Sequence, residues 1–213
     1  MHRKPVLLTI AVLFLLLALA VPAMADVTLY DNGPINGTVD AWTINYGYEV
    51  SDSFTLSSAS TITGFNFGTW LYPGDSVVSV DYQIGTQPFE GATGTASVTS
   101  TFLYNNQYGY NIDQEVATGL NVALSAGTYW LTLGNAVDTQ GEPVYWDEND
   151  GPSQATDSET GSIPSESFQI IGTTGTSTTN TSSTTPEPGS IMLLGAGLLS
   201  VAGVLRRRVS GRS

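Results

Sequence analysis

The chain has 213 residues, no cysteine, six Lys+Arg, 19 Asp+Glu and one histidine, for a net charge of −13. Its basic side chains all lie at the ends: His2, Arg3 and Lys4 at one, Arg206, Arg207, Arg208 and Arg212 at the other. Nothing between Pro5 and Leu205 can act as an imidazole, lysine or thiol, which excludes a Ser-His-Asp triad, a Schiff base, a zinc-thiolate site, disulfides and nucleic-acid binding through a basic face.

The first predicted element is a leader. His2, Arg3 and Lys4 make a basic start, Val6 to Ala20 is apolar, and Ala23-Met24-Ala25 is a small-x-small site. This is the pattern of a secretory signal peptide, residues 1–25, cut between Ala25 and Asp26 by signal peptidase. The domain that follows is expected from Asp26 to Ile171, long enough for one core. All of the acids except Glu187 lie between Asp26 and Thr185, with no base among them. Their repulsion is relieved only by solvation, salt or bound cations.

Within 26–171 the apolar period is two, not 3.6, which predicts strands. Val50, Phe54 and Leu56 make one face of a short strand. Thr61–Trp70 puts Phe65 and Phe67 on one side. Val77–Ile84 puts Val78, Val80, Tyr82 and Ile84 on one side, with Val77, Ser79, Asp81 and Gln83 opposite. Gly127–Gly134 separates Tyr129, Leu131 and Leu133 from Trp130 and Thr132. Ser97–Leu103, Tyr110–Val116 and Phe168–Ile171 are further candidates. Turns are expected at Asp31–Pro34, Tyr72–Asp75, Ser125–Gly127 and Asp150–Pro152, where Pro presets φ and Gly accepts positive φ. Short strands with frequent turns predict an all-β, antiparallel β-sandwich. Leu124–Leu133 resembles the penultimate strand of jelly-roll domains, which implies a jelly-roll-like arrangement.

Three kinds of site are chemically open. Asp147, Glu148 and Asp150 concentrate hard oxygen donors suited to Ca²⁺, although the spacing is not that of an EF-hand and a solvated acidic loop is the plainer reading. Trp42, Tyr46, Tyr48, Trp70, Tyr72, Tyr108, Tyr110 and Trp146 are candidate sugar-stacking residues, with Trp70 and Tyr72 favoured for the surface because they flank a turn; core packing is the competing role. Two carboxyls meeting in a cleft would give a small glycosidase. Asn36-Gly37-Thr38 matches a glycosylation sequon.

Gly172–Thr185 is polar and low in complexity, which predicts a flexible linker. The sorting segment, 186–213, begins with Pro186-Glu187-Pro188 and continues as an apolar run from about 189 to 205, ending at Arg206-Arg207-Arg208. Ile191–Leu205 gives roughly 22 Å of helix, short of the ~30 Å of a bilayer core. Flanking small residues and snorkelling arginines extend its reach, and the arginines favour the cytoplasmic side as a stop-transfer signal.

The order of motif, apolar helix and basic cluster resembles the PEP-CTERM sorting signal of Gram-negative bacteria. The resemblance implies an exosortase that acts at Pro186–Pro188, anchorage in the inner membrane before processing, and a final place in the cell envelope or outside it. Leu29–Asp52 with Pro143–Asn149 resembles ectodomains that recur among PEP-CTERM proteins, and brings no catalytic residue with it. Exosortases often accompany exopolysaccharide production, so the resemblance implies a non-catalytic structural or adhesive role in the extracellular matrix, with polysaccharide as a partner. A carbohydrate-binding module and a carboxylate-dependent glycosidase stand as the alternatives. No cofactor is expected apart from Ca²⁺ at the acidic segment.

Overall fold

Alternating apolar side chains need a partner strand to bury one face, and among the described residues they form thirteen strands. The computed structural model describes residues 25–175. The leader, the sorting motif, the apolar segment and the basic tail lie outside the described residues, as does the linker beyond 175. The strands are β1 (Val27–Asp31), β2 (Ala41–Thr43), β3 (Glu49–Leu56), β4 (Ser60–Leu71), β5 (Val77–Gly85), β6 (Ala92–Asn105) and β7 (Asn111–Leu124). They continue with β8 (Gly127–Asp138), β9 (Tyr145–Asn149), β10 (Ala155–Asp157), β11 (Gly161–Ile163), β12 (Ser165–Glu166) and β13 (Phe168–Thr174). There is no helix among the described residues.

All pairings are antiparallel, as expected. The expected sandwich of two separate sheets is instead one continuous sheet, in the order β1-β13-β4-β7-β6-β5-β8-β3-β10-β11, curled into a half-barrel. The joint is β6. Its first part, Ala92–Ser97, pairs with β5, and its second part, Val98–Asn105, pairs with β7. One long strand therefore belongs to both halves of the sheet, and no break separates them. The short β9 pairs with β2, β4 and β12 off the main path.

The curl brings the inner faces of both halves onto one core. Phe54 from β3 packs edge-on against Phe168 from β13, and Trp146 from β9 packs edge-on against Phe67 and Phe168. Leu131, Leu133, Phe65 and Ile62 fill the space between. Each such side chain contributes about 1.5–3 kcal/mol on burial. All of these residues lie within 25–175, so this segment closes its own core.

Three local outcomes differ from the sequence reading. Val78 is 48% exposed, while Val77 is buried. The register against β8 shifts twice, between Val77 and Ser79 and between Ser79 and Asp81, and such a bulge turns the side chains before it to the other face. The strand β13 runs on to Thr174, pairing Gly172, Thr173 and Thr174 with Ile62, Thr61 and Ser60. The first residues expected in the linker thus complete the sheet, because β-branched Thr suits a strand once a partner is present. The segment 147–149, expected as a loop, is strand and buried. The Pro73-Gly74 turn forms as expected: Gly74 takes φ +88 and Asp75 N donates to Tyr72 O at 3.0 Å, the geometry of a type II turn.

The core has a carboxyl-rich end. Asp52 shares the inner face of β3 with Val50 and Phe54 and is fully buried. Glu166 stands opposite Glu148 in the β12–β9 pair, so their side chains share a face. Neither carboxyl oxygen of Glu166 has a hydrogen-bond partner. On β7, Asp113 and Glu115 are buried on either side of the Ser100 hydroxyl, at 3.0 and 2.8 Å.

Candidate functional site

The face opposite the core carries a separate cluster of aromatic rings near one end of β4. Phe65, Phe67 and Leu71 point into the core, so alternation sends Trp70 outward. Its cross-strand partner is Tyr145. Tyr72 follows Trp70 at the start of the Pro73-Gly74 turn, and Tyr110 precedes β7. The β6–β7 connection is held by Asn106, whose Oδ1 accepts the amides of Tyr108 and Tyr110 at 3.0 Å each. That turn lays the Tyr108 ring over Trp70, with centroids 5.7 Å apart and planes at 21°. Tyr110 sits 5.8 Å from Trp70, 5.2 Å from Tyr72 and 5.8 Å from Tyr145.

The Tyr72, Tyr110 and Tyr145 rings are close neighbours, and Tyr72, together with burial, raises the Tyr110 phenol above its ordinary value. Burial, with the neighbouring phenols, pushes Tyr145 up to about 12, so it stays a neutral donor. Tyr108 is 58% exposed and Tyr72 39%, while Trp70 is only 6% exposed under Tyr108. A cavity of about 170 Å³ opens here, lined by Asp40, Ala41, Trp70, Tyr110 and Tyr145.

Asp147 fixes this face from beneath. Its Oδ1 accepts the indole N–H of Trp70 at 2.6 Å and the amide of Gly37 at 2.8 Å, and its Oδ2 accepts the amide of Asn36 at 2.9 Å. The loop from Asn32 to Asp40 is thereby pinned over Ile112. Gly37 is needed there, since its φ is +60 and a Cβ would come within 2.7 Å of Ile112. Burial raises the Asp147 carboxyl although all three donors oppose the shift.

The acidic segment does not gather its carboxylates at one point. Successive residues of β9 face opposite sides. Asp147 is engaged as described, Glu148 accepts the indole N–H of Trp42 at 2.8 Å, and Asp150 is exposed beyond the strand. Among the described residues no three acidic side chains are grouped to hold a metal ion. Asp113 and Glu115, which meet at the Ser100 hydroxyl, are both buried.

Of the aromatic candidates, Trp70, Tyr72, Tyr108 and Tyr110 come together. Trp146 is core, and Trp42 is half-buried against Glu148. Tyr46 and Tyr48 are exposed away from the cluster; Tyr46 lines a separate hollow with Asn135, Val137 and Gly141. Tyr145 and Asp40 were missed by sequence reasoning. The signal for Tyr145 was the alternation of Tyr145-Trp146-Asp147-Glu148, which places Tyr145 and Asp147 on the same face once the segment is read as strand. Asp40 had no signal, because it reaches the cavity through the loop alone.

Comparison with known families adds the tail. Residues 184–208 match the family model described as the PEP-CTERM protein-sorting motif. The motif implies export and processing by an exosortase, as expected from Pro186, Glu187 and Pro188. No curated protein matches the chain.

Proposed function

We propose that this is a non-catalytic matrix or envelope protein, delivered by its sorting segment, whose exported domain holds extracellular polysaccharide on the Trp70–Tyr72–Tyr108–Tyr110–Tyr145 face. The observation that carries the reading is that face itself: five aromatic rings with exposed Tyr72 and Tyr108 beside a small cavity. Sugars offer C–H faces to aromatic rings and hydroxyls to phenols, and tyrosine supplies both kinds of contact at low entropic cost. The cavity is smaller than the roughly 300 Å³ of an ordinary enclosed ligand site. It suits one group of a longer chain whose remainder lies across the exposed tyrosines. The rings already pack on one another before a ligand arrives, so binding freezes few rotamers.

Affinity electrophoresis of residues 25–175 in gels containing polysaccharide tests this. The wild type is expected to be retarded, and Tyr108→Ala with Tyr72→Ala to lose about tenfold or more in affinity, by analogy with aromatic truncation at other binding faces. Unretarded wild type across neutral and amino-sugar polymers would end the carbohydrate reading.

The sorting half has its own test. Replacement of Glu187 by Ala, or deletion of Pro186–Pro188, is expected to leave unprocessed protein in the inner membrane, because the motif directly precedes the apolar segment. Fractionation, with the mass of the mature C-terminus, reads the result. Normal processing of either variant would remove the motif from the exosortase step.

A further inference from the structure

We infer that the cavity beside Asp40 takes the ammonium group of an amino sugar, so that the preferred polymer carries free amines. The inference rests on the carbohydrate reading above and narrows it. Three aromatic residues, Trp70, Tyr110 and Tyr145, line the cavity together with one acid, Asp40. Aromatic walls attract a cation through the negative faces of their rings, and recognition of ammonium groups by such cages is a recurrent use of that attraction. Asp40 supplies the full opposite charge. It is exposed, and its Oδ1 accepts the amide of Ala41, the next residue of the cavity lining, at 2.9 Å.

The rest of the domain acts in the same direction. No base stands anywhere between Pro5 and Leu205. A sulfated, phosphorylated or uronic-acid polymer would meet only like charge, with no guanidinium or ammonium to receive it. A neutral sugar could stack on the tyrosines but would leave Asp40 without a partner in the cavity. A glucosamine unit satisfies both the rings and the carboxylate. The cavity's size fits one charged group with its sugar edge, and the neighbouring units of the polymer continue onto Tyr108 and Tyr72.

The test compares two probes that differ only in the acetyl group: the hexamer of glucosamine and the hexamer of N-acetylglucosamine. Both are titrated calorimetrically into residues 25–175 at mildly acidic pH, where the free amines are charged. The free-amine hexamer is expected to bind about tenfold more tightly, the size of one desolvated cation–π and charge contact. Asp40→Asn should weaken the free-amine hexamer by about tenfold, and so bring the two affinities close to equal. Tyr110→Ala should weaken both. Glu90→Gln, an exposed acid outside the cavity, controls for general attraction between a polycation and an acidic protein.

Equal binding of the two hexamers by the wild type would overturn the ammonium assignment and leave the carbohydrate reading standing. A loss in Glu90→Gln as large as that in Asp40→Asn would also overturn it, since the preference would then be bulk charge. Binding of neither hexamer, together with no retardation by any polymer, would overturn both. Unchanged folding of Asp40→Asn is checked by its melting curve, because the residue is exposed.

Discussion

Acidification from about pH 8 to about pH 5 is expected to stabilise residues 25–175, the reverse of ordinary acid denaturation. The cause is a set of carboxyls buried without a base. Burial pushes Asp52 from 3.8 up to about 6 and Glu115 from 4.5 up to about 7, and it raises Glu166 well above its ordinary value, with Asp52, Glu148, Asp147 and Asp40 adding like charge. Geometry says the same for Glu115. The Ser100 hydroxyl has one proton but lies between Asp113 Oδ2 and Glu115 Oε1, while Thr69 Oγ1 also donates to Glu115 Oε1. With one proton for two carboxylates, one contact is unfavourable unless a carboxyl is itself protonated.

The sign follows from proton counting. A group whose folded pKa is raised binds more protons when folded. Its contribution is complete below the unfolded pKa near 4 and is lost as pH rises through the folded value. The window here therefore runs from about 4 to about 7. Asp52 and Glu115 each contribute on the order of 3 kcal/mol across it. A rise in melting temperature of about 10 °C between pH 8 and pH 5 is the expected scale for a domain of this size. Asp138 opposes this only at the acid end: though slightly desolvated, its carboxylate accepts the amides of Glu142, Gln140 and Gly141, and it is held low.

General repulsion among surface acids would also fall with pH, so the local account needs a local variant. Glu166→Met removes a carboxyl that has no partner on either oxygen and leaves an apolar chain of similar length at the same buried position. It is expected to raise stability at pH 8 by roughly 1–4 kcal/mol, as replacement of buried charge by apolar groups does elsewhere. It should also flatten the pH dependence. A destabilised Glu166→Met with an unaltered pH slope would assign the effect to surface repulsion.

Why these acids escaped the sequence reading is itself physical. In β3 the run Val50, Phe54, Leu56 was read as an apolar face, and Asp52 occupies the missing alternate position of that same face. Alternation alone placed it inside; its charge argued outside, and the fold obeys alternation because Asn32, Ser53 and Glu166 supply donors. The Phe65/Phe67 and Leu131/Leu133 faces were legible because nothing interrupts their period and both strands have partners on two sides. Val77 and Val78 were assigned to the wrong faces because a bulge depends on how the neighbouring strand pairs, which no single segment encodes. The aromatic face was half legible. Trp70 and Tyr72 were singled out for their turn, but Tyr108 covers Trp70 through a turn built by Asn106, and Tyr145 arrives from a strand that reads as an acidic loop.

Asp147→Ala is expected to cost about 2–4 kcal/mol, since three donors lose a charged acceptor at a fully buried position. The loss should reach beyond stability. Asn36 and Gly37 are held by this carboxylate, and so is the indole of Trp70, which forms one wall of the cavity. Freed of it, the loop that carries Asp40 is no longer fixed beside Trp70, and affinity for polysaccharide should fall along with the melting temperature. Asp147→Asn is expected to give little relief. An amide has one acceptor oxygen for the three donors, and its NH₂ would face either the Asn36 amide or the indole and Gly37 N–H groups. Both losses should be the same with and without millimolar Ca²⁺, because the oxygens of Asp147 are already taken by donors within the chain. Melting curves and polysaccharide retardation of the two variants, each with Ca²⁺ and with chelator, separate the roles. A penalty that appears only in Ca²⁺, with the wild type stabilised to the same degree, would make Asp147 a metal ligand instead of the anchor of the aromatic face.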